Sequence, residues 1–220
     1  FSAELLLVVN LFDARGIPVI PFKVPVVASY LYSNLAFRHW VDLDILIRQE
    51  DFPDAKALLL SLGYTCANRL TRRQEQFLLR SHYCENFTLE RDHYRVDLEV
   101  HWKITPAYFP YSLDIEGMWR RSVAGFLAGH KVPTLSPEDL LLVLCVHGSK
   151  HLWSRLQWVC DVARLLTTHQ AMDWDRVMQQ ATAARGQRML SLGLLLTKEL
   201  LNAPLPDQIW RTVRNDPAAR

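Results

Sequence analysis

The run Val41-Asp42-Leu43-Asp44-Ile45-Leu46-Ile47 alternates apolar and acidic residues and then turns apolar and branched, the pattern of a strand. Alternation puts Asp42 and Asp44 on one face, close together, with Val41, Leu43 and Ile45 on the other. Two neighbouring carboxylates repel unless a positive charge sits between them. A divalent cation is the usual answer, and hard ions such as Mg²⁺ prefer oxygen ligands. The alternative is a solvent-facing pair at a strand end, satisfied by lysines or water. A second segment, Val96-Asp97-Leu98-Glu99-Val100-His101-Trp102, repeats the device, with residues 97, 99 and 101 on one face. If the two strands are neighbours, Glu99 or Asp97 completes a three-carboxylate cluster that can hold two metal ions on a triphosphate. Otherwise the segment is an exposed sheet face of mixed charge. His101 is expected to orient a carboxylate or to sit as a half-buried strand histidine, rather than to bind metal.

The surrounding pattern is that of an α/β unit. Residues 4–14 have helical spacing closed by Arg15-Gly16, residues 17–22 form a short β-type run, and residues 25–36 return to helical spacing. Residues 50–62 predict an amphipathic helix ended by Gly63, and segments 82–89 and 94–104 predict an antiparallel hairpin. Ser136-Pro137-Glu138-Asp139 combines an N-cap, a proline at the first helical position and two acids in the first turn. From there to about residue 201 the chain reads as helical. The expected division is an α/β core over residues 1–110 and a mainly helical region over 111–220 packed on it.

Charge excludes one class of function. With 25 Lys+Arg against 23 Asp+Glu among 220 residues, and the basic residues scattered, there is no strong nucleic-acid footprint. No apolar stretch reaches the roughly 18 residues of a membrane span. The four cysteines, Cys66, Cys84, Cys145 and Cys160, form no CxxC pair and read as reduced, so a cytoplasmic location is expected.

Lys23, Arg38 before Asp42-Leu43-Asp44, Leu62-Gly63-Tyr64, Glu99-Val100-His101-Trp102, and His147-Gly148-Ser149-Lys150-His151-Leu152-Trp153 with Leu156, Trp158 and Asp161 occur in that order. In this combination, over roughly residues 17–206, the sequence resembles the bacterial uncharacterised nucleotidyltransferase family of the DNA polymerase β-like superfamily. The resemblance implies an α+β, polymerase β-like nucleotidyltransferase fold, a small mixed sheet flanked by helices, followed by a helical C-terminal region. It also implies Mg²⁺-dependent transfer of a nucleoside monophosphate from an NTP such as ATP to the hydroxyl of an unknown small-molecule or protein acceptor. By the same resemblance Asp42, Asp44 and Glu99 are the metal ligands, two Mg²⁺ ions being expected, and Glu99 helps deprotonate the hydroxyl. Lys23 is by the same resemblance a residue that reaches phosphate, and Arg38 one that pairs with phosphate or with Asp42. One position departs from the pattern: the family has Lys-Gly in the first loop, and this chain has Lys23-Val24-Pro25. Valine adds a branched side chain and proline removes a donor where a backbone would approach the triphosphate. That departure motivates a second reading, a catalytically weakened nucleotide- or partner-binding module of the same fold.

His147 and His151 lie four apart on the predicted helix, with Lys150 beside them. Alone, the spacing invites a metal reading with Asp161 as third ligand, a phosphohydrolase arrangement, but the Glu of an HExxH motif is missing. The simpler expectation is that His147, Lys150 and His151 meet a nucleobase, phosphate or acceptor while Trp153, Leu156 and Trp158 anchor the next helix. Arg69, Arg72, Arg73 and Arg80 form either a basic rim or a solvated helix face.

Overall fold

The computed structural model describes residues 2–23, 25–32, 42–68, 70–91, 94–109 and 111–216. The chain divides into two compact units, Phe1–Phe109 with Ser122–Thr134, and Pro110–Arg121 with Leu135–Arg220. Among the described residues no helix is long and apolar enough to cross a membrane.

The first unit is a five-stranded mixed sheet with helices. It contains α1 (Ser2–Ala14), β1 (Val19–Pro21), α2 (Val26–Leu31), β2 (Asp42–Ile47), α3 (Phe52–Ser61), β3 (Thr65–Cys66), α4 (Arg72–Ser81), β4 (Cys84–Arg91) and β5 (Tyr94–His101). The strand order is β1-β2-β5-β4-β3. β2 and β5 run parallel at its centre, while β1 and β4 flank them antiparallel. One sheet face buries Leu43, Ile45, Ile47, Leu98 and Val100 with Leu5, Val8 and Phe12 of α1 and Phe52, Ala55 and Leu59 of α3. The spacing of those helical residues is a single apolar stripe on each helix. Both helices stop as expected at glycines with positive φ, Gly16 at +70° and Gly63 at +92°. In each case the next residue donates back five residues, Ile17 to the Phe12 carbonyl and Tyr64 to the Leu59 carbonyl, the closing bond of a Schellman cap.

Of two further features of this unit, the first is a helix face of the kind the sequence offered for its arginines, and the second lies outside the sequence expectation. α4 carries Arg72, Arg73 and Arg80 and buries Leu78 alone, and it starts with a capping box between Thr71 and Gln74. Arg69 lies outside the described residues. A second hairpin, β6 (Val123–Leu127) and β7 (His130–Thr134), belongs to this unit although its residues fall within the stretch read as mainly helical. Its Ala128-Gly129 turn has φ of 49° and 82°, the two left-handed residues of a type I′ turn. Alanine at the first position concealed that turn, because the usual signal there is Asn or Asp.

The second unit is helical: α5 (Ile115–Arg120), α6 (Pro137–Lys150), α7 (Leu156–Thr168), α8 (Trp174–Ala183), α9 (Gln187–Leu201) and α10 (Asp207–Arg214). α6 begins as read, with the Ser136 hydroxyl accepting from the Asp139 backbone N–H. The Asp139 carboxylate, 1% exposed, accepts two hydrogen bonds from the Arg121 guanidinium at 2.9 and 3.0 Å. Residues 140–146 are all buried, as befits a helix packed against α7, α8 and α9.

Candidate active site

Parallel pairing of β2 with β5 sets Asp42 opposite Asp97 and Asp44 opposite Glu99. Paired residues share a face, so both strands present their acids together. One carboxylate oxygen each from Asp42, Asp44 and Glu99 lie within 4.8 Å of one another. Asp97, the other candidate for third place, is instead held by Arg95 in a two-pronged ion pair and by the Thr88 hydroxyl, both at 2.9 Å at closest. Glu99 therefore takes the third place, with its side chain 27% exposed against 2% for Asp44.

Two cationic or titratable groups bind the cluster. Lys23, just beyond β1, donates from Nζ to Asp44 Oδ1 at 2.6 Å and lies 4.0 Å from Glu99 Oε2. His101 places Nε2 at 3.0 Å from Asp44 Oδ1 and 3.1 Å from Glu99 Oε2. It thus orients two carboxylates at once, and its ring is wedged edge-on against Phe22. The 97/99/101 alternation was the sequence signal for it. Three hard oxygen donors whose charge Lys23 offsets only in part fit a divalent cation such as Mg²⁺. Arg38 and Val24 lie outside the described residues. Pro25 heads α2 as its N-cap; a helix start is where a missing N–H is tolerated.

Burial alone would raise the Asp44 pKa, but the Lys23 ammonium and His101 outweigh it and hold the carboxyl below its ordinary value. Burial and the neighbouring Asp44 push Asp42 up. Lys23 is lowered by burial yet raised overall, because Asp44 faces it. A depressed carboxylate contributes stability above its unfolded pKa and loses it as pH falls; a raised lysine contributes below its unfolded pKa and loses it as pH rises. In the absence of divalent ions, the stability that Asp44 gives wild type relative to Asp44→Asn should therefore be lost below about pH 4, and the part owed to Lys23 above about pH 10.5, the ordinary values. Thermal melts across pH check this, and an advantage that grows below pH 4 would contradict it.

In the helical unit, His147 and His151 stand at the end of α6 with ring centroids 4.7 Å apart. Both rings pack on Trp158 of α7, at 5.1 and 5.3 Å, and Lys150 is on the same last turn. Among the described residues His147, His151 and Asp161 do not form a group with converging ligand atoms. The two histidines are turned to an aromatic partner instead. Gly148 and Trp153 of that motif pack together: a methyl on Gly148 would sit 2.5 Å from the Trp153 ring. Trp153 follows a left-handed Leu152 at φ 55° and itself has φ 49°. It reaches Gly193 of α9 as well, where a Cβ would lie 3.0 Å from the ring. Leu156 is 60% exposed rather than an anchor.

A family model described as an uncharacterised nucleotidyltransferase matches residues 1–202. No curated protein matches the chain in sequence. Among solved structures, the crystal structure of ANT(2")-Ia in complex with adenylyl-2"-tobramycin aligns with a TM-score of 0.54 and 16% identity, over 84% of this chain and 97% of that one. A solution structure of ANT(2'')-Ia gives 0.54 and 15%, over 84% and 91%. An antigenic nucleotidyltransferase-like protein from Paracoccidioides brasiliensis gives 0.55 and 14%, over 97% and 91%. At such identities the likeness is one of fold.

Proposed function

The chain belongs to the uncharacterised nucleotidyltransferase family and has the polymerase β-like nucleotidyltransferase fold, and from that premise we propose that it transfers a nucleoside monophosphate from an NTP to a hydroxyl of a small molecule. The observation that carries this reading is the in-register pair Asp44 and Glu99 beside Asp42, three acids converging on one edge of two parallel strands. Asp42, Asp44 and Glu99 would hold Mg²⁺, which when bound supplies positive charge against the triphosphate oxygens. Glu99, the more exposed member of the pair, is the group that an acceptor hydroxyl can reach and to which it gives its proton. Asp44, buried and ionised, stays a fixed charge. Lys23 brings an ammonium to the same place and can pair with a phosphate oxygen as a point charge. His101 keeps both carboxylates aimed. ATP and a small-molecule acceptor are favoured within this reading because a protein of the same fold, ANT(2")-Ia, has been solved with adenylyl-2"-tobramycin. Taken by itself, the helical unit offers His147 and His151 beside the Trp158 ring, with Lys150 on the same turn, as groups that could meet a base, phosphate or acceptor by stacking and charge.

The test is calorimetric titration of each NTP in Mg²⁺ into wild type and into Asp42→Ala/Asp44→Ala, followed by labelled NMP transfer. Binding by wild type that disappears in the double variant is the expected result. A folded wild type that binds no NTP would displace this reading in favour of a partner-binding module, the version to which Val24-Pro25 in place of the family's glycine points.

A further inference from the structure

The acid face of β5 meets one more metal-binding side chain. Cys84, the first residue of β4, pairs directly with His101 across the antiparallel ladder, so the two side chains share the face that also carries Glu99. One donor atom each from Cys84, Glu99 and His101 lie within 4.8 Å of one another. Around a tetrahedral Zn²⁺, with bonds of about 2.0–2.3 Å, ligand atoms stand roughly 3.3–3.7 Å apart, so a rotamer-scale closure suffices. His101 is 2% exposed, and its Nδ1 has no hydrogen-bond partner among the described residues. Phe22 and Tyr83 wall its ring at centroid distances of 5.0 and 5.7 Å. A thiolate, an imidazole and one carboxylate are a borderline-soft set that suits zinc, whereas the neighbouring all-carboxylate set suits a hard ion.

We propose that Cys84, Glu99 and His101 form a Zn²⁺ site that shares Glu99 with the Asp42, Asp44 and Glu99 cluster, so that Zn²⁺ and Mg²⁺-bound nucleotide exclude each other. The site itself stands on its own geometry; the exclusion rests on the reading of Glu99 given above. Binding converts the Cys84 thiol to a thiolate and releases its proton to solvent. It also draws His101 and Glu99 together toward Cys84, away from the geometry in which His101 bridges Glu99 and Asp44.

Co²⁺ is the probe, added to the reduced full chain without nucleotide. Wild type is expected to show thiolate-to-cobalt charge-transfer absorption that saturates with one ion per chain and is displaced by Zn²⁺. Cys84→Ser and His101→Gln should each lose the band, while Cys66→Ser, Cys160→Ser and Asp42→Ala keep it, with melting curves confirming that all are folded. No band in wild type, or a band that survives Cys84→Ser, overturns the site. For the exclusion, Zn²⁺ should weaken Mg²⁺-NTP binding at least tenfold in wild type and not in Cys84→Ser; equal binding with and without Zn²⁺ in wild type overturns it. A wild type that binds no NTP at all defeats the nucleotidyltransferase reading while leaving the cobalt band to decide the site.

Discussion

Asp44→Asn is expected to lower nucleotidyl transfer about a thousandfold, read as pyrophosphate release from labelled NTP in Mg²⁺, with a melting curve checking that the variant is folded. The size follows from charge rather than shape. Asparagine keeps the side-chain volume of an aspartate that is 2% exposed, but it removes the buried charge at the centre of the cluster. Positive charge held on a phosphoryl oxygen stabilises the transition state by several kcal/mol, about three decades in rate at ~1.4 kcal/mol per decade. The control lies on the adjoining strand. Asp97 occupies the same face, two residues from Glu99, but is spent on Arg95 and Thr88. Asp97→Asn should change the rate by about twofold, within the usual range of an exposed substitution. Equal losses from the two substitutions would mean that general acidity of the sheet face matters, and that the Asp42, Asp44 and Glu99 constellation does not.

That contrast also shows what the sequence could reveal. The period of two in 42–44 and in 97–101 was enough to put the acids on single faces, and the positive-φ glycines at 16 and 63 marked two helix ends. Whether Asp97 or Glu99 joins Asp44 depended on the register of two parallel strands more than fifty residues apart, which no local pattern encodes. α4 was legible only as one alternative for its arginines. It buries Leu78 alone and is rich in charge, so its capping box at Thr71 and Gln74 was the available signal. The 147–153 segment was legible as a motif but not as a mixture of two things. Its histidines face Trp158, whereas Gly148 is small because the Trp153 ring lies against it. Spacing alone does not separate residues kept for packing from residues placed for chemistry, since both follow the same helical period.

Lys23→Met is expected to destabilise the protein by about 3 kcal/mol, the lower end for breaking a buried pair, because Lys23 remains 21% exposed. Methionine keeps the length and an apolar stem but withdraws the ammonium from 2.6 Å of Asp44 and from over the Phe22 ring. Three carboxylates then converge with no lysine to offset them, and burial, which already pushes Asp42 up, has less to oppose it at Asp44. For a chain of this size the melting temperature should fall by about 6–12 °C. A cation should repair the loss, since a ligand that binds only the folded state at a hundred times its dissociation constant returns about 2.7 kcal/mol. Mg²⁺ should therefore raise the melting temperature of Lys23→Met more than that of wild type, where lysine already occupies part of the charge-compensating role. A Lys23→Met protein as stable as wild type, and equally indifferent to Mg²⁺, would show that the three acids are not charged together, and the metal-binding reading of the cluster would fall with it.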